Sequence, residues 1–371
     1  MNGGPDPRRP RVVISLFDHP AYPGGGPVVV RRIIDRLSRD YEVVLVTTNR
    51  RAEGTAPRVI ILPVGWAGPR LGQLVYGLLL ILAVRLVRHD LWIESFTPPF
   101  SSSFLPMVTR RPVIGLAQSL SARGMARKYR LPVLVSIERF ALRRYDYVVV
   151  LNPRDRELVR SCNPRATVRL IPNAVDPPTL PAAPPGAGSS ALYLGRVDVT
   201  EKGLDLLVEA YRRGGTRALP LIVAGAGTHA NELRLATLVR PVAGRVRLVG
   251  YVHGARKAEL LNDAAFLVMP SREEAFGLVA LEAMAYGKPV VHFDLPELSW
   301  IPADCGVKVT NLDAAELARA IEDLSSDHTR RARLGRNARA YAERHDAAAT
   351  DDAYGALVAE ILAAGPQRSP T

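Results

Sequence analysis

Two glutamates eight residues apart, Glu274 and Glu282, stand in the stretch PSREEAFGLVALEAMAYGKPVV that runs from Pro270 to Val291. The apolar run AAFLVMP before it reads as a buried parallel strand closed by proline. Gly277 then opens a helix through LVALEAMAY, which Gly287 and Pro289 end. Glu274 falls in the loop and Glu282 inside the first turns. A helix N-terminus carries free N–H groups and about half a positive charge, so it draws phosphates. Amides at Phe276, Gly277 and Leu278 would face such a group, while the two carboxylates accept hydrogen bonds from sugar hydroxyls. The plainer alternative is that the acids complement the helix dipole and lie in water. Against it, Glu282 sits between Leu281 and Ala283 in a helix almost devoid of other polar residues.

Upstream, Arg196 and Lys202 bracket the loop GRVDVTEKG that follows the strand ALYL. Two cations beside a nucleoside diphosphate would neutralise it as a leaving group. Near the start, Gly24, Gly25 and Gly26 precede a helix with apolar positions Val29, Val30, Ile33, Ile34 and Leu37. Glycine there lets backbone approach a ligand, although tight turns use the same residues and the pattern is not GxGxxG. His19 beside it reads as an ordinary loop histidine.

The stretch around Glu274 and Glu282 resembles the signature of retaining family-4 glycosyltransferases of GT-B fold: two glutamates with seven residues between them, FG after the first and EAMAxGxPVV from the second. The loop with Gly195, Arg196, Lys202 and Gly203 resembles a second family element, and IPNAVD a third, which ends the first domain. The resemblance implies that Glu274 contacts the donor hexose, Glu282 the ribose, and Arg196 and Lys202 the diphosphate. Gly25 and Gly26 would face the diphosphate and the acceptor, with Gly195 and Gly225 at the donor. The base would be read around Tyr251 and Val252. Where the family commonly has a histidine near the transferred sugar, this chain has Gln118, which hydrogen-bonds but does not titrate.

These residues need elements to hold them. Repeated apolar runs alternate with amphipathic segments over 371 residues, too many for one ordinary core. The expectation is α/β: two doubly wound Rossmann-like domains facing a central cleft. The boundaries are 1–178 for an acceptor-side domain, 179–190 for a linker in PPTLPAAPPGAGSS, and 191–340 for a nucleotide-sugar domain. Residues 341–371 form a helix crossing back to the first domain. LGQLVYGLLLILAVRLVR has an uncharged run from Leu71 to Val84, shorter than the roughly 20 residues of a membrane span. It reads as a buried helix, with insertion of one face into a membrane second.

The charge is +13 and uneven: residues 1–180 hold 27 Lys and Arg against 13 Asp and Glu. A basic half points to nucleic acid, an anionic membrane or an anionic substrate, and no nucleic-acid-binding signature is present. The basic amphipathic segment with Arg123, Arg127, Lys128, Arg130, Arg139, Arg143 and Arg144 suits a membrane surface; an ordinary solvated helix fits it equally. Two distant cysteines, Cys162 and Cys305, suggest neither disulfide nor zinc site, and no apolar leader is evident. A cytoplasmic protein follows, with peripheral attachment to the inner face of the membrane as an option.

The expectation is a retaining transferase that moves a hexose from a UDP- or GDP-sugar to a hydroxyl of a carbohydrate or lipid-linked acceptor. It uses no cofactor, no metal and no nucleic acid. Two alternatives remain: a nucleotide-sugar-binding protein that has lost transfer, supported by Gln118, and a relative that isomerises its nucleotide sugar.

Overall fold

The computed structural model describes residues 9–18, 25–49, 56–64, 69–96, 104–118, 120, 122, 126, 130–180, 183–215, 217–310 and 312–365. His19, Gly24, Arg123, Arg127 and Lys128 lie outside them. The chain forms two compact units, Met1–Asn173 with Ala348–Thr371, and Ala174–Ala347.

Unit 1 holds a parallel sheet in the order β3-β2-β1-β4-β5-β6-β7. Its strands are β1 (Arg11–Leu16), β2 (Glu42–Thr47), β3 (Arg58–Ile61), β4 (Leu91–Phe96), β5 (Val113–Ala117), β6 (Tyr147–Val150) and β7 (Thr167–Leu170). Helices cover both faces, so strands such as RVVISL are apolar at successive positions instead of alternating. α1 (Gly26–Leu37) buries the expected stripe Val29, Val30, Ile33, Ile34 and Leu37. Further helices among the described residues are α2 (Pro69–Leu86), α3 (Val133–Leu142) and α4 (Pro153–Cys162), the last capped by the Asn152 side chain.

Unit 2 repeats the plan with the order β10-β9-β8-β11-β12-β13, all parallel. These are β8 (Ser190–Leu194), β9 (Leu221–Ala224), β10 (Val246–Gly250), β11 (Ala264–Met269), β12 (Val290–Phe293) and β13 (Gly306–Val309). Its helices are α5 (Leu204–Arg213), α6 (His229–Val239), α7 (Gly254–Asp263), α8 (Leu278–Ala285), α9 (Ala314–Ser326) and α10 (His328–Glu343). The final helix, α11 (Ala347–Ala364), belongs to unit 1 from Ala348 onward. Ion pairs Arg32–Asp351, Arg36–Asp352 and Arg169–Glu360 tie it to α1 and β7.

Two expectations need correction. The boundary does not fall in the expected linker 179–190: the units part between Asn173 and Ala174, and the described residues of 179–190 are fastened to unit 2. Gly186 donates its N–H to Gly287 O, and its own carbonyl receives the Nε–H of the fully buried Arg331. Lys288, also fully buried, donates to Ala187 O at 3.0 Å and Asn262 O at 2.7 Å. The second correction concerns α2, which is not buried all round: Leu71, Leu74, Leu78, Leu82 and Leu86 point outward. Among the described residues no helix is long and apolar enough to cross a membrane.

Lys288 gives the fold a signature in pH. Burial, helped by Arg339, pushes its ammonium from the ordinary lysine value of 10.5 down to about 8. Between those two values the unfolded chain holds a proton that the folded one has released, so stability rises with pH across that window and levels off below pH 8. Melting temperatures of the wild type minus those of Lys288→Met, taken from pH 7 to 10.5, should climb above pH 8. A flat difference would refute the assignment.

Candidate active site

The sheet of unit 2 starts at β8, runs outward through β9 and β10, then returns to the other side of β8 with β11. Connections therefore diverge between β8 and β11, and in an open parallel sheet ligands bind outside the carboxyl ends of the strands at such a point. The expected polar residues gather there. β8 runs into Gly195 and Arg196, and β11 into Pro270 and Ser271.

Lys202 and Glu274, 72 residues apart, meet at this edge. The Nζ of Lys202 lies 2.6 Å from Oε1 of Glu274, which also accepts the Ser271 hydroxyl at 2.8 Å. Both side chains are largely buried, at 16% and 12% exposure, so their attraction is screened less than that of a surface pair. Gly203 allows the approach. At φ 63° it takes a left-handed conformation, and a Cβ there would lie 1.8 Å from Pro270 O.

Arg196 pairs with Asp198 and Glu201 in its own loop, and the loop is tied in turn to the strand end opposite. Arg272 donates to Thr200 O at 2.6 Å and binds both carboxylate oxygens of Asp205 at 2.7 and 2.8 Å. Beneath the loop, Tyr193 donates its hydroxyl to Arg196 O at 2.6 Å. Burial, with the Glu274 charge nearby, raises that phenol far above its ordinary value, so it stays a neutral donor. Gly225, just after β9, comes so close that a Cβ would lie 1.7 Å from Gly195 O. The two glycine-bearing strand ends are in backbone contact.

α8 begins as the sequence predicts, with Gly277 at φ 77° before it and Leu278 first. Phe276 is held from behind: its ring stacks on Trp300 at 4.6 Å, and Trp300 donates Nε1–H to its carbonyl at 2.8 Å. The first-turn amides of α8 lack partners within the helix by geometry. Glu282, one turn in, binds Nζ of Lys257 from α7 at 2.6 Å. Tyr251 is 69% exposed and stacks on His253 at 5.6 Å, while Val252 is half-buried beside it.

Unit 2 thus carries Gly195, Arg196, Lys202, Gly225, Tyr251, Val252, Glu274, Phe276, Gly277, Leu278 and Glu282. Gly25, Gly26 and Gln118 belong to unit 1. Gly25 precedes α1 and receives the amides of Val28 and Val29. Gln118 follows β5, and its buried amide nitrogen has no hydrogen-bond partner among the described residues. Sequence reasoning missed Lys257, Arg272 and Trp300. Arg272 lies inside the quoted stretch, so its position was a usable signal; Lys257 and Trp300 stand in no motif.

Comparison with known proteins follows the same division. The Glycosyltransferase Family 4 model matches residues 23–178 and the Glycosyl transferases group 1 model residues 188–327. Among curated relatives, phosphatidyl-myo-inositol mannosyltransferase of Mycolicibacterium smegmatis is 33% identical over 172 residues, 44% of this chain and 44% of that protein. The match thus spans less than half the length of that relative. Solved structures share the fold over nearly the whole chain. Sucrose-phosphate synthase from Thermosynechococcus elongatus gives a TM-score of 0.79 at 24% identity, covering 96% of this chain and all of that one. Anabaena HepE in complex with UDP-glucose gives 0.73 at 18%, covering 95% and 100%.

Proposed function

Because both units of this chain belong to the group 1, family-4 glycosyltransferases of GT-B fold, we propose that it is a retaining hexosyltransferase using a UDP- or GDP-sugar. The observation that carries the reading is the Lys202–Glu274 contact at the β8/β11 switch point, beside the N-terminus of the helix that holds Glu282. The UDP-glucose held by Anabaena HepE supports a uridine donor.

In this reading Lys202 and Arg196 lie against the diphosphate, with the α8 amides adding partial positive charge. Glu274, fixed by Lys202 and Ser271, accepts hydrogen bonds from hexose hydroxyls. Glu282, fixed by Lys257, does the same for the ribose, and exposed Tyr251 offers a face for the base. The acceptor oxygen attacks the anomeric carbon from the side on which the phosphate departs. The C–O bond to phosphate breaks as the new one forms, and the leaving phosphate oxygen takes the acceptor's proton. Configuration is kept, and no side chain has to serve as general base. Protein positioning and charge do the rest. Gln118, with its unpaired amide nitrogen, is an acceptor-side donor.

The test uses water as surrogate acceptor. Purified protein is incubated with UDP- and GDP-sugars, nucleoside diphosphate release is followed, and the anomer of the freed sugar is read by NMR before it equilibrates. An α-linked donor should give the α-sugar first. Release of the β-anomer would refute retention. If no donor is hydrolysed and none raises the melting temperature, the donor site itself is wrong.

Glu282→Ala should raise KM for the donor about tenfold with kcat little changed, since a lost ground-state hydrogen bond to ribose is worth roughly 1.5 kcal/mol. A fall in kcat at constant KM would instead place Glu282 in the transition state.

A further inference from the structure

The outer face of α2 is uncovered in unit 1. Leu71, Leu74, Leu78, Leu82 and Leu86 recur every three or four residues and are 50–83% exposed. Tyr76, Leu80, Ala83 and Val84, on the opposite face, are buried in the core. At 1.5 Å per residue the stripe is about 22 Å long. It continues beyond the helix. α2 packs on the 3-10 turn Leu105–Met107, where Met107 is exposed, and Phe104 meets Phe140 of α3 at 5.8 Å. α3 in turn exposes Val133, Ile137 and Phe140. Scattered apolar exposure is ordinary, but ten of the fifteen large exposed hydrophobic side chains among the described residues lie on this surface or at Leu131 beside it.

The same surface is basic. Among the described residues, 71–145 contain eight arginines and three acids, of which Glu94 and Glu138 are buried. Arg85 lies in the last turn of α2 and Arg88 just beyond it, Arg110 and Arg111 follow the turn, and Arg139 and Arg143 stand in the last turn of α3 and just past its end, all exposed. Arg144 lies over the Phe140 ring at 4.7 Å. A second copy of the chain would bring the same positive charge against this one, and like charges across an interface oppose association. A nucleic acid would leave the leucines unexplained. An apolar stripe edged by arginines matches a helix lying in the plane of a lipid leaflet.

We propose that the α2–α3 face of unit 1 docks on an anionic lipid leaflet, with the α2 leucines among the acyl chains and the arginines at the headgroups. This needs unit 1 alone and stands whether or not the transferase reading holds.

The test is co-flotation of the full chain with vesicles of phosphatidylcholine alone or of phosphatidylcholine and phosphatidylglycerol in equal parts. Binding should be at least tenfold stronger to the anionic vesicles. Leu78→Glu/Leu82→Glu should weaken it at least tenfold at unchanged melting temperature, because both side chains already face outward. Arg139→Glu/Arg143→Glu should weaken it by a similar factor, at about 1 kcal/mol per basic residue near the surface. The proposal is overturned if the leucine variant binds like wild type. It is equally overturned if wild type ignores anionic vesicles, in which case a dimer lost in the leucine variant would identify a second copy as the occupant. Donor-induced melting shifts on the same samples report the sugar-nucleotide site separately.

Discussion

Lys202→Ala is expected to lower kcat/KM for donor hydrolysis by about a hundred- to a thousandfold, the usual cost of removing one preorganised charge-stabilising group from a transition state. Two effects add. In the proposed reading the departing diphosphate loses the ammonium that meets its growing charge. Glu274, 12% exposed, loses the 2.6 Å partner that holds its carboxylate, leaving only the Ser271 hydroxyl among its hydrogen bonds to side chains. Lys202→Arg should recover little, since a planar fork cannot take the place of a compact ammonium between two acceptors, Glu274 Oε1 and Glu273 O. The cycle Lys202→Ala, Glu274→Ala and the double variant separates the two effects. Because each residue acts through the other, the double variant should be scarcely slower than the worse single one. Strict additivity would mean that the two residues act independently and that their contact plays no part in the reaction. Full activity in Lys202→Ala would remove the reading altogether. A variant that still binds donor, by its melting shift, yet releases nucleotide about a hundred- to a thousandfold more slowly is the expected phenotype.

How far the sequence foretold this depends on range. The strands were legible because a parallel sheet covered on both faces demands unbroken apolar runs, and α8 because glycine stands at each end of it. Glu274, Glu282 and Lys202 were legible as chemistry. Their pairing was not: Lys202 reaches Glu274 only because β11 lies beside β8, a choice of sheet neighbour made over some 70 residues. Lys257 becomes the partner of Glu282 through the same packing, and nothing in KAELLND marks it. On α2 the difficulty is different. Buried and exposed faces are both apolar, so periodicity carries little information about which side meets the core, and only the packed structure reveals the outward stripe of leucines. The stretch 179–190 misleads by composition. Proline, glycine, alanine and serine without charge read as the interdomain linker, yet two cations far along the chain, Lys288 and Arg331, hold its carbonyls to unit 2.

That last arrangement yields the largest expected loss of stability, about 3–5 kcal/mol for Arg331→Ala, the range for stripping a buried charge network of one member. Arg331 is fully buried and distributes its donors over Gly186 O at 2.9 Å, Leu324 O and Ser325 O at 2.7 Å each, and Nδ1 of His328. Burial lowers the guanidinium pKa, but arginine begins so high that it stays charged. Alanine would leave three carbonyls dry and unpaired and add a cavity, so a domain of this size should melt about 10 °C lower. Arg331→Met separates the two terms. It fills most of the volume but offers no donor, so it should recover only a minority of the loss; a methionine variant as stable as wild type would show that the hydrogen bonds contribute nothing net. The site should feel the change as well, since α10, which carries Arg331, packs along α8, which carries Glu282. A raised donor KM in Arg331→Met, measured well below its melting temperature, is the expected functional echo of a staple that lies outside every motif.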